Sequence, residues 1–88
     1  RGNHPNPFNP RTTISFRLDS SASRASLRVY DVSGRLVRTL VDGALAAGDH
    51  EVLWRGRDDG GREVASGVYL YRLDADGVSE SRPMVLVR

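Results

Sequence analysis

Short runs of alternating apolar and polar residues recur along the chain, and they constrain its fold more than any other feature. In residues 12–18, Ile14, Phe16 and Leu18 fall on one face, because successive side chains of an extended strand point to opposite sides. Similar runs follow at spacings of roughly ten residues, at 25–32, 35–41, 49–55, 68–73 and 78–87. Since no helical period is sustained for about ten residues, the sequence predicts an all-β protein.

Turn signals separate these runs. Asp and Gly, which suit tight turns, are concentrated in residues 31–34, 58–61 and 74–77. The run at 35–41 alternates least strictly and could form one or two helical turns, but its shortness and β-branched residues favour a strand. Six or seven short strands, with residues 63–65 as a link or strand, predict an antiparallel immunoglobulin-like β-sandwich of about seven strands.

The length of 88 residues suits one small domain. Three of the four prolines lie in the first ten residues, where they disfavour helix and remove backbone donors. We therefore expect residues 1–10 to be an extended lead-in segment with Phe8 as its apolar anchor, and residues 11–88 to form a single sandwich. No signal peptide is visible at Arg1, so we interpret the chain as part of a longer protein, in which any export signal would lie upstream.

Composition excludes several kinds of chemistry. There is no cysteine, which excludes disulfides, thiolate metal sites and cysteine nucleophiles. All 13 basic residues are arginine, so lysine Schiff bases and isopeptide links are excluded too. The arginines are scattered among acidic residues and the net charge is +2, which argues against nucleic-acid binding. No apolar stretch approaches the ~20 residues of a transmembrane segment.

Candidates for catalysis and metal binding are few. His4 and His50 have no cluster of further ligands around them, and His50 shares the strand face of Trp54, which indicates packing at the edge of the core. Asp58 and Asp59 resemble part of a calcium loop, but calcium takes roughly six to eight oxygen ligands, so a hairpin turn is favoured. We expect no catalytic residue, metal or cofactor, and a protein that is not an enzyme.

Aromatic residues leave one further alternative open. Trp54, Tyr69 and Tyr71 could form a platform for sugars, but their inward alternation favours the core, where tyrosine hydroxyls find backbone partners. Tyr30 is the aromatic residue that this alternation leaves on an outward face. A carbohydrate-binding β-sandwich attached to a secreted hydrolase therefore stays an alternative.

Six segments, taken in order, carry a resemblance to a known family. They are PNPFNP at residues 5–10, VYDVSGRLV at 29–37, GDHEVLW at 48–54, GRDDGGREV at 56–64, SGVYLYRL at 66–73 and MVLVR at 84–88. Together they resemble the C-terminal sorting domain of the type IX secretion system, and also the related immunoglobulin-like domain of the flagellar hook-capping protein. The Pro-Asn-Pro-Phe-Asn lead-in favours the sorting branch.

The resemblance implies a non-catalytic address at the C-terminus of a secreted protein. Its implied partners are the outer-membrane secretion machinery, a sortase-like peptidase and an upstream cargo domain of the same chain, and its implied location is the bacterial cell surface. A scaffold domain of the hook-capping type stays the alternative. The sorting family often ends in Lys-rich signals, whereas Arg82 and Arg88 here keep the charge but not the amine.

We expect the recognition residues to lie in the lead-in segment, in turns and near the C-terminal end. In the lead-in segment the candidates are Asn6, Pro7, Phe8 and Asn9, although a Phe8 plug and asparagine turn caps would explain the same residues. The other candidates are Gly34, Arg35, Gly67, Tyr69, Arg82 and Arg88. The two glycines are interpreted first as backbone devices that allow positive φ.

Overall fold

Seven antiparallel strands form two sheets in the computed structural model, which describes residues 2–5, 7 and 10–88. The strands are β1 (Gly2–His4), β2 (Thr12–Leu18), β3 (Ala22–Asp31), β4 (Leu36–Leu45), β5 (Gly48–Trp54), β6 (Gly67–Ala75) and β7 (Val78–Leu86). One sheet has the order β1-β2-β5 and the other β4-β3-β6-β7. The predicted all-β, immunoglobulin-like sandwich is confirmed. Among the described residues, no helix has the length and apolar character to cross a membrane.

The three-stranded sheet follows the predicted alternation. β2 occupies the range expected from the sequence and pairs with β5 from Thr12 opposite Trp54 to Leu18 opposite Gly48. Its alternate apolar side chains are buried, as the pattern predicts. On its other side β2 pairs with β1, so residues 2–4 of the lead-in segment contribute an edge strand to this sheet.

A single apolar core lies between the sheets. It is formed by Ile14, Phe16, Leu18, Ala22, Ala25, Leu27, Val29, Trp54, Tyr69, Tyr71, Met84 and Leu86. Trp54 is 1% exposed, its ring meets that of Tyr69 edge-on at 5.4 Å, and its indole N–H donates to the Arg57 carbonyl at 2.9 Å. The prediction that Trp54, Tyr69 and Tyr71 pack in the core is confirmed. Every buried polar side-chain atom of the described residues has a hydrogen-bond partner.

β4 departs most from its predicted boundaries. It continues to Leu45, beyond the run predicted at residues 35–41, and its partner β3 begins at Ala22 rather than at residue 25. The register between the two strands shifts at three places, and Gly43 has φ of 149°. Each bulge sets two residues against one and breaks the period of two. Alternation along the sequence therefore could not reveal the full strand.

The hairpin between β6 and β7 was predicted at residues 74–77 and is confirmed, with Ala75 opposite Val78. Asp76 and Gly77 form its tip with φ of 48° and 88°, as in two-residue hairpin loops whose twist matches the strands. β7 is an edge strand and contains Pro83 opposite Leu70. This position agrees with the prediction that the proline lies at a sheet edge.

Asp76 ties this hairpin tip to the start of β3. Its carboxylate accepts hydrogen bonds from the Arg24 N–H at 3.0 Å and from the N–H and hydroxyl of Ser23, both at 3.2 Å. Its own N–H donates to the Arg24 carbonyl at 3.0 Å. The hydrogen bonds from the backbone of Arg24 and Ser23 lower the pKa of the Asp76 carboxyl group, because they favour its charged form.

We predict that the fold loses stability in acid through Asp76 and two other aspartates. The Ser33 hydroxyl lowers the pKa of Asp31. The Ser79 hydroxyl lowers the pKa of Asp74. Because the pKa of each group is lower folded than unfolded, the group stabilises the fold above the ordinary aspartate pKa of about 4, and this stabilisation is lost as pH falls through the folded value.

The melting temperature measured between about pH 7 and pH 2.5 should therefore be flat above about pH 5 and fall below about pH 4. Asp76→Asn keeps the shape and the tolerance of positive φ, but removes one titrating group, so its melting temperature should fall less steeply with acid. A melting temperature that does not change below about pH 4 would contradict this account.

Candidate recognition surface

One end of the sandwich brings together several residues that the sequence predicted for recognition. We call it the turn end and define it as residues 31–35, 55–66 and 87–88. The ladders place Asp31 opposite Tyr69 and Gly67 opposite Leu86, which gathers these segments around the start of β6. The N–H of Asp59 donates to the Val37 carbonyl at 3.0 Å and joins the long loop to β4. The turn end is thus held together by backbone hydrogen bonds.

The first turn at this end joins β3 to β4 and is organised by Asp31. The Oδ1 atom of Asp31 accepts hydrogen bonds from the N–H groups of Ser33 at 2.9 Å and Arg35 at 3.0 Å. The Gly34 N–H donates to the Asp31 carbonyl at 3.0 Å, and Gly34 has φ of 88°. Gly34 is therefore a backbone device, as predicted, since side-chain-bearing residues rarely adopt this conformation.

A second turn repeats this arrangement in the long loop. Asp58 Oδ1 accepts from the N–H groups of Gly60 at 3.0 Å and Arg62 at 2.9 Å, while the Gly61 N–H donates to the Asp58 carbonyl at 2.9 Å. Gly61 has φ of 82°. Both turns read Asp-x-x-Gly-Arg, and this repeated spacing is the sequence signal that would have added Arg62 to the predicted recognition residues. The prediction that Asp58 belongs to a hairpin turn is confirmed.

The last residue of each turn is an exposed arginine. Arg35 Nε lies 3.7 Å from Asp31 Oδ2 and Arg62 Nε lies 3.6 Å from Asp58 Oδ2, with side chains 83% and 85% exposed. Both arginines line one groove of about 520 Å³. The same groove is lined by Leu36, Val37, Val64, Ala65 and Tyr69. The turn end therefore presents two cations beside an apolar floor.

Arg88 acts as a clamp inside this end. Its Nε donates to the Val64 carbonyl, its Nη2 donates to the Gly56 carbonyl, and its Nη1 lies 3.4 Å from Glu63 Oε2. Its backbone N–H donates to the Ser66 hydroxyl at 2.9 Å. The side chain is 24% exposed. The guanidinium predicted for recognition thus contacts the chain's own loop.

We predict that Arg88→Ala destabilises the fold by about 1–3 kcal/mol, because the substitution leaves two carbonyls without their charged donor. That loss corresponds to a melting temperature lower by roughly 4–24 °C for a domain of this size. Arg24→Ala, at the opposite end of the sandwich, is the matched control and should change the melting temperature far less. Equal melting temperatures for the wild type and Arg88→Ala would show that the clamp contributes nothing.

Three other residues predicted for recognition, Gly67, Tyr69 and Arg82, lie on strands β6 and β7. Gly67 has φ of 155° with open space around it, and Tyr69 is 7% exposed, with its hydroxyl donating to the Ala65 carbonyl at 2.6 Å. Burial raises the pKa of the Tyr69 hydroxyl. Arg82 lies along β7 opposite Tyr71 and forms an ion pair with Glu80 at 3.3 Å. Arg82 is therefore not part of the turn end.

Of the four recognition candidates in the lead-in segment, the structure describes Pro7, and this residue is exposed. Asn6, Phe8 and Asn9 lie outside the described residues. The described part of this segment contacts β2, because the Pro5 carbonyl accepts hydrogen bonds from Asn3 at 3.1 Å and from the Thr12 hydroxyl at 2.9 Å.

His50, a candidate metal ligand in the sequence, packs against its own domain instead. The ring of His50 stacks on Phe16 with centroids 5.2 Å apart, and its Nε2 lies 2.7 Å from the Ala46 carbonyl oxygen. This placement confirms the prediction of a residue at the core edge. Across residues 2–5, 7 and 10–88, no three histidine, aspartate or glutamate side chains form a group that could hold a metal ion. The chemistry that the turn end offers is charge and hydrogen bonding.

The fold and this surface identify the chain as a small immunoglobulin-like domain with two ordered turns at one end. The sequence profile of the FlgD Ig-like domain matches residues 2–78, and the chain belongs to that family. It is 36% identical over 58 residues to the basal-body rod modification protein FlgD of Salmonella typhimurium, and equally to that of Salmonella typhi. The matched part is 66% of this chain and 25% of each relative, so the chain spans about a quarter of their length.

Solved structures agree with this family. The crystal structure of FlgD from P. aeruginosa superposes with a TM-score of 0.66 at 27% identity, covering 85% of this chain and 59% of that one. PorZ, described as an essential bacterial surface component of the type IX secretion system of Porphyromonas gingivalis, gives a TM-score of 0.68 at 24% identity. That match covers 98% of this chain and 11% of PorZ, and it shows a shared fold. The flagellar side of the expected resemblance is confirmed by these findings.

Proposed function

We propose that this domain is a non-catalytic recognition module that directs an attached protein to the bacterial cell surface through the type IX secretion system. The observation that carries the proposal is the turn end, where the chain's own hydrogen bonds fix the backbone of two turns that each present an exposed arginine side chain. A rigid surface of this kind suits recognition by another protein. Immunoglobulin-like sandwiches also offer strand edges as binding surfaces.

Two further observations support the sorting role. The Pro-Asn-Pro-Phe-Asn lead-in at residues 5–9 resembles that of sorting domains. The fold is shared with a domain of PorZ over 98% of this chain. In this role the partners are the outer-membrane secretion machinery, a sortase-like peptidase and an upstream cargo domain, and the location is the cell surface.

The sorting role is tested by export. Residues 1–88 are fused to the C-terminus of a monomeric reporter that carries an N-terminal signal peptide for the inner membrane, and the fusion is produced in a bacterium with a type IX system and in the same strain without its outer-membrane translocon. We expect the reporter outside the outer membrane in the first strain alone. A reporter that stays periplasmic in both strains would refute the sorting role.

A second function is favoured by the family itself, namely a scaffold domain of the flagellar hook-capping type. The 36% identity to FlgD over 58 residues supports it directly. Its test is replacement of the immunoglobulin-like domain of a FlgD protein by this chain, followed by counting hooks and measuring motility. Restored hooks together with a periplasmic reporter in the export assay would assign the chain to the scaffold role.

A further inference from the structure

We infer that the groove at the turn end binds an extended acidic polypeptide segment, with Arg35 and Arg62 as the carboxylate-binding side chains. The inference deepens the proposed recognition role and rests on it, because it names the chemistry of the partner that this surface would bind.

The two arginines are arranged as binding groups. Each is placed by an aspartate four residues earlier that contacts its Nε atom, at 3.7 Å for Arg35 and 3.6 Å for Arg62. Within the described residues, each of these guanidinium groups is ion-paired with one aspartate, and the contact is through Nε. A guanidinium has five N–H donors in a fork, so one held through Nε can still donate two hydrogen bonds to a second carboxylate.

The floor of the groove adds an apolar contact beside these charges. It includes Leu36, which is 45% exposed, together with Val37, Val64 and Ala65. An extended chain places every second side chain on the same face. A segment with two acidic residues flanking an apolar one on that face would set its carboxylates near the arginines and its apolar side chain on this floor.

Charge favours carboxylates over phosphate groups in this groove. Asp31 and Asp58 line the groove together with Arg35 and Arg62, so the groove has little net charge and its attraction for an anion is local to each exposed guanidinium. A doubly charged phosphate would be repelled by both aspartates at short range. Two single charges spread along a peptide each meet one arginine, through the bidentate geometry that guanidinium groups form with carboxylates.

The test is an NMR titration of the 88-residue chain with the blocked peptide acetyl-Glu-Ser-Val-Ser-Glu-amide. We expect shift changes confined to the turn end and to the groove residues Leu36, Val37 and Tyr69. The dissociation constant should be about fivefold weaker for the double variant Arg35→Gln/Arg62→Gln, as two exposed ion pairs allow. The control Arg17→Gln/Arg24→Gln removes the same charge at the opposite end and should bind as the wild type does.

A second probe keeps the protein unchanged. The same peptide with glutamine in place of both glutamates should bind about fivefold more weakly to the wild type. Equal binding of the two peptides, no binding of either, or equal weakening by both double variants would overturn the inference. Tighter binding of inorganic pyrophosphate at the same residues would overturn it in favour of a phosphate-bearing partner. Because no export is involved, this assay and the export assay can fail independently.

Discussion

Trp54→Ala should lower the free energy of unfolding by about 3–5 kcal/mol, the largest loss that we expect from a single substitution in this domain. Trp54 is 1% exposed, contacts Tyr69 edge-on and donates its indole N–H to the Arg57 carbonyl. A domain of 88 residues has a total stability of about 4–13 kcal/mol. Urea denaturation should therefore show a variant that is largely unfolded or close to it.

Two control substitutions separate the core contribution of Trp54 from the general effect of losing an aromatic ring. Trp54→Phe keeps a ring against Tyr69 but removes the donor to Arg57, so it should be less damaging than alanine. Tyr30→Ala removes an aromatic side chain from the outward face of β3 and should change stability by about 1 kcal/mol or less. A Trp54→Ala variant that unfolds at the urea concentration of the wild type would refute the described core.

Gly56→Ala is the second substitution with a large expected effect. Gly56 has φ of 70°, and a Cβ atom there would lie 2.8 Å from Arg88 Nη2 and 2.9 Å from the Pro10 carbonyl oxygen. A left-handed conformation costs a residue other than glycine about 1–2 kcal/mol. Displacement of the Arg88 clamp adds about 1–3 kcal/mol. The sum corresponds to a melting temperature lower by roughly 10 °C or more.

Gly34→Ala is the matched control, because Gly34 has φ of 88° and a Cβ atom added there would meet nothing within 4 Å beyond its chain neighbours. It should show the conformational cost alone and therefore a smaller fall in melting temperature. The double variant Gly56→Ala/Arg88→Ala should lose less than the sum of the two single losses, since both act on one contact. Equal losses for the two glycine variants would contradict the crowding at Gly56.

The regular strands could be predicted from the sequence because their burial follows a period of two. β2 was predicted at residues 12–18 and lies there. The inward placement of Tyr69 and Tyr71 and the edge position of Pro83 followed from the same alternation. Each of these features depends on which face of a single strand a side chain occupies, and the alternation of apolar and polar residues is enough to predict that face.

Features that depend on tertiary contacts could not be predicted in this way. The extension of β4 to Leu45 is irregular because of its bulges, so its residues show no alternation. The Arg88 clamp joins residues that are 22 to 32 positions apart, and no local pattern marks such a contact. Arg62, unlike the β4 extension and the Arg88 clamp, could have been predicted. The spacing Asp-x-x-Gly-Arg occurs twice in the sequence, and it places Arg62 at the same turn position as Arg35.

The most direct measurement of the central claim, that this domain is an address read from its surface, is protease accessibility of a reporter fused to residues 1–88 on intact cells. We predict digestion of the reporter in a strain with a working type IX system and full protection in the strain without the translocon. Protection in both strains, while the fused domain melts cooperatively as a folded unit, would contradict the account.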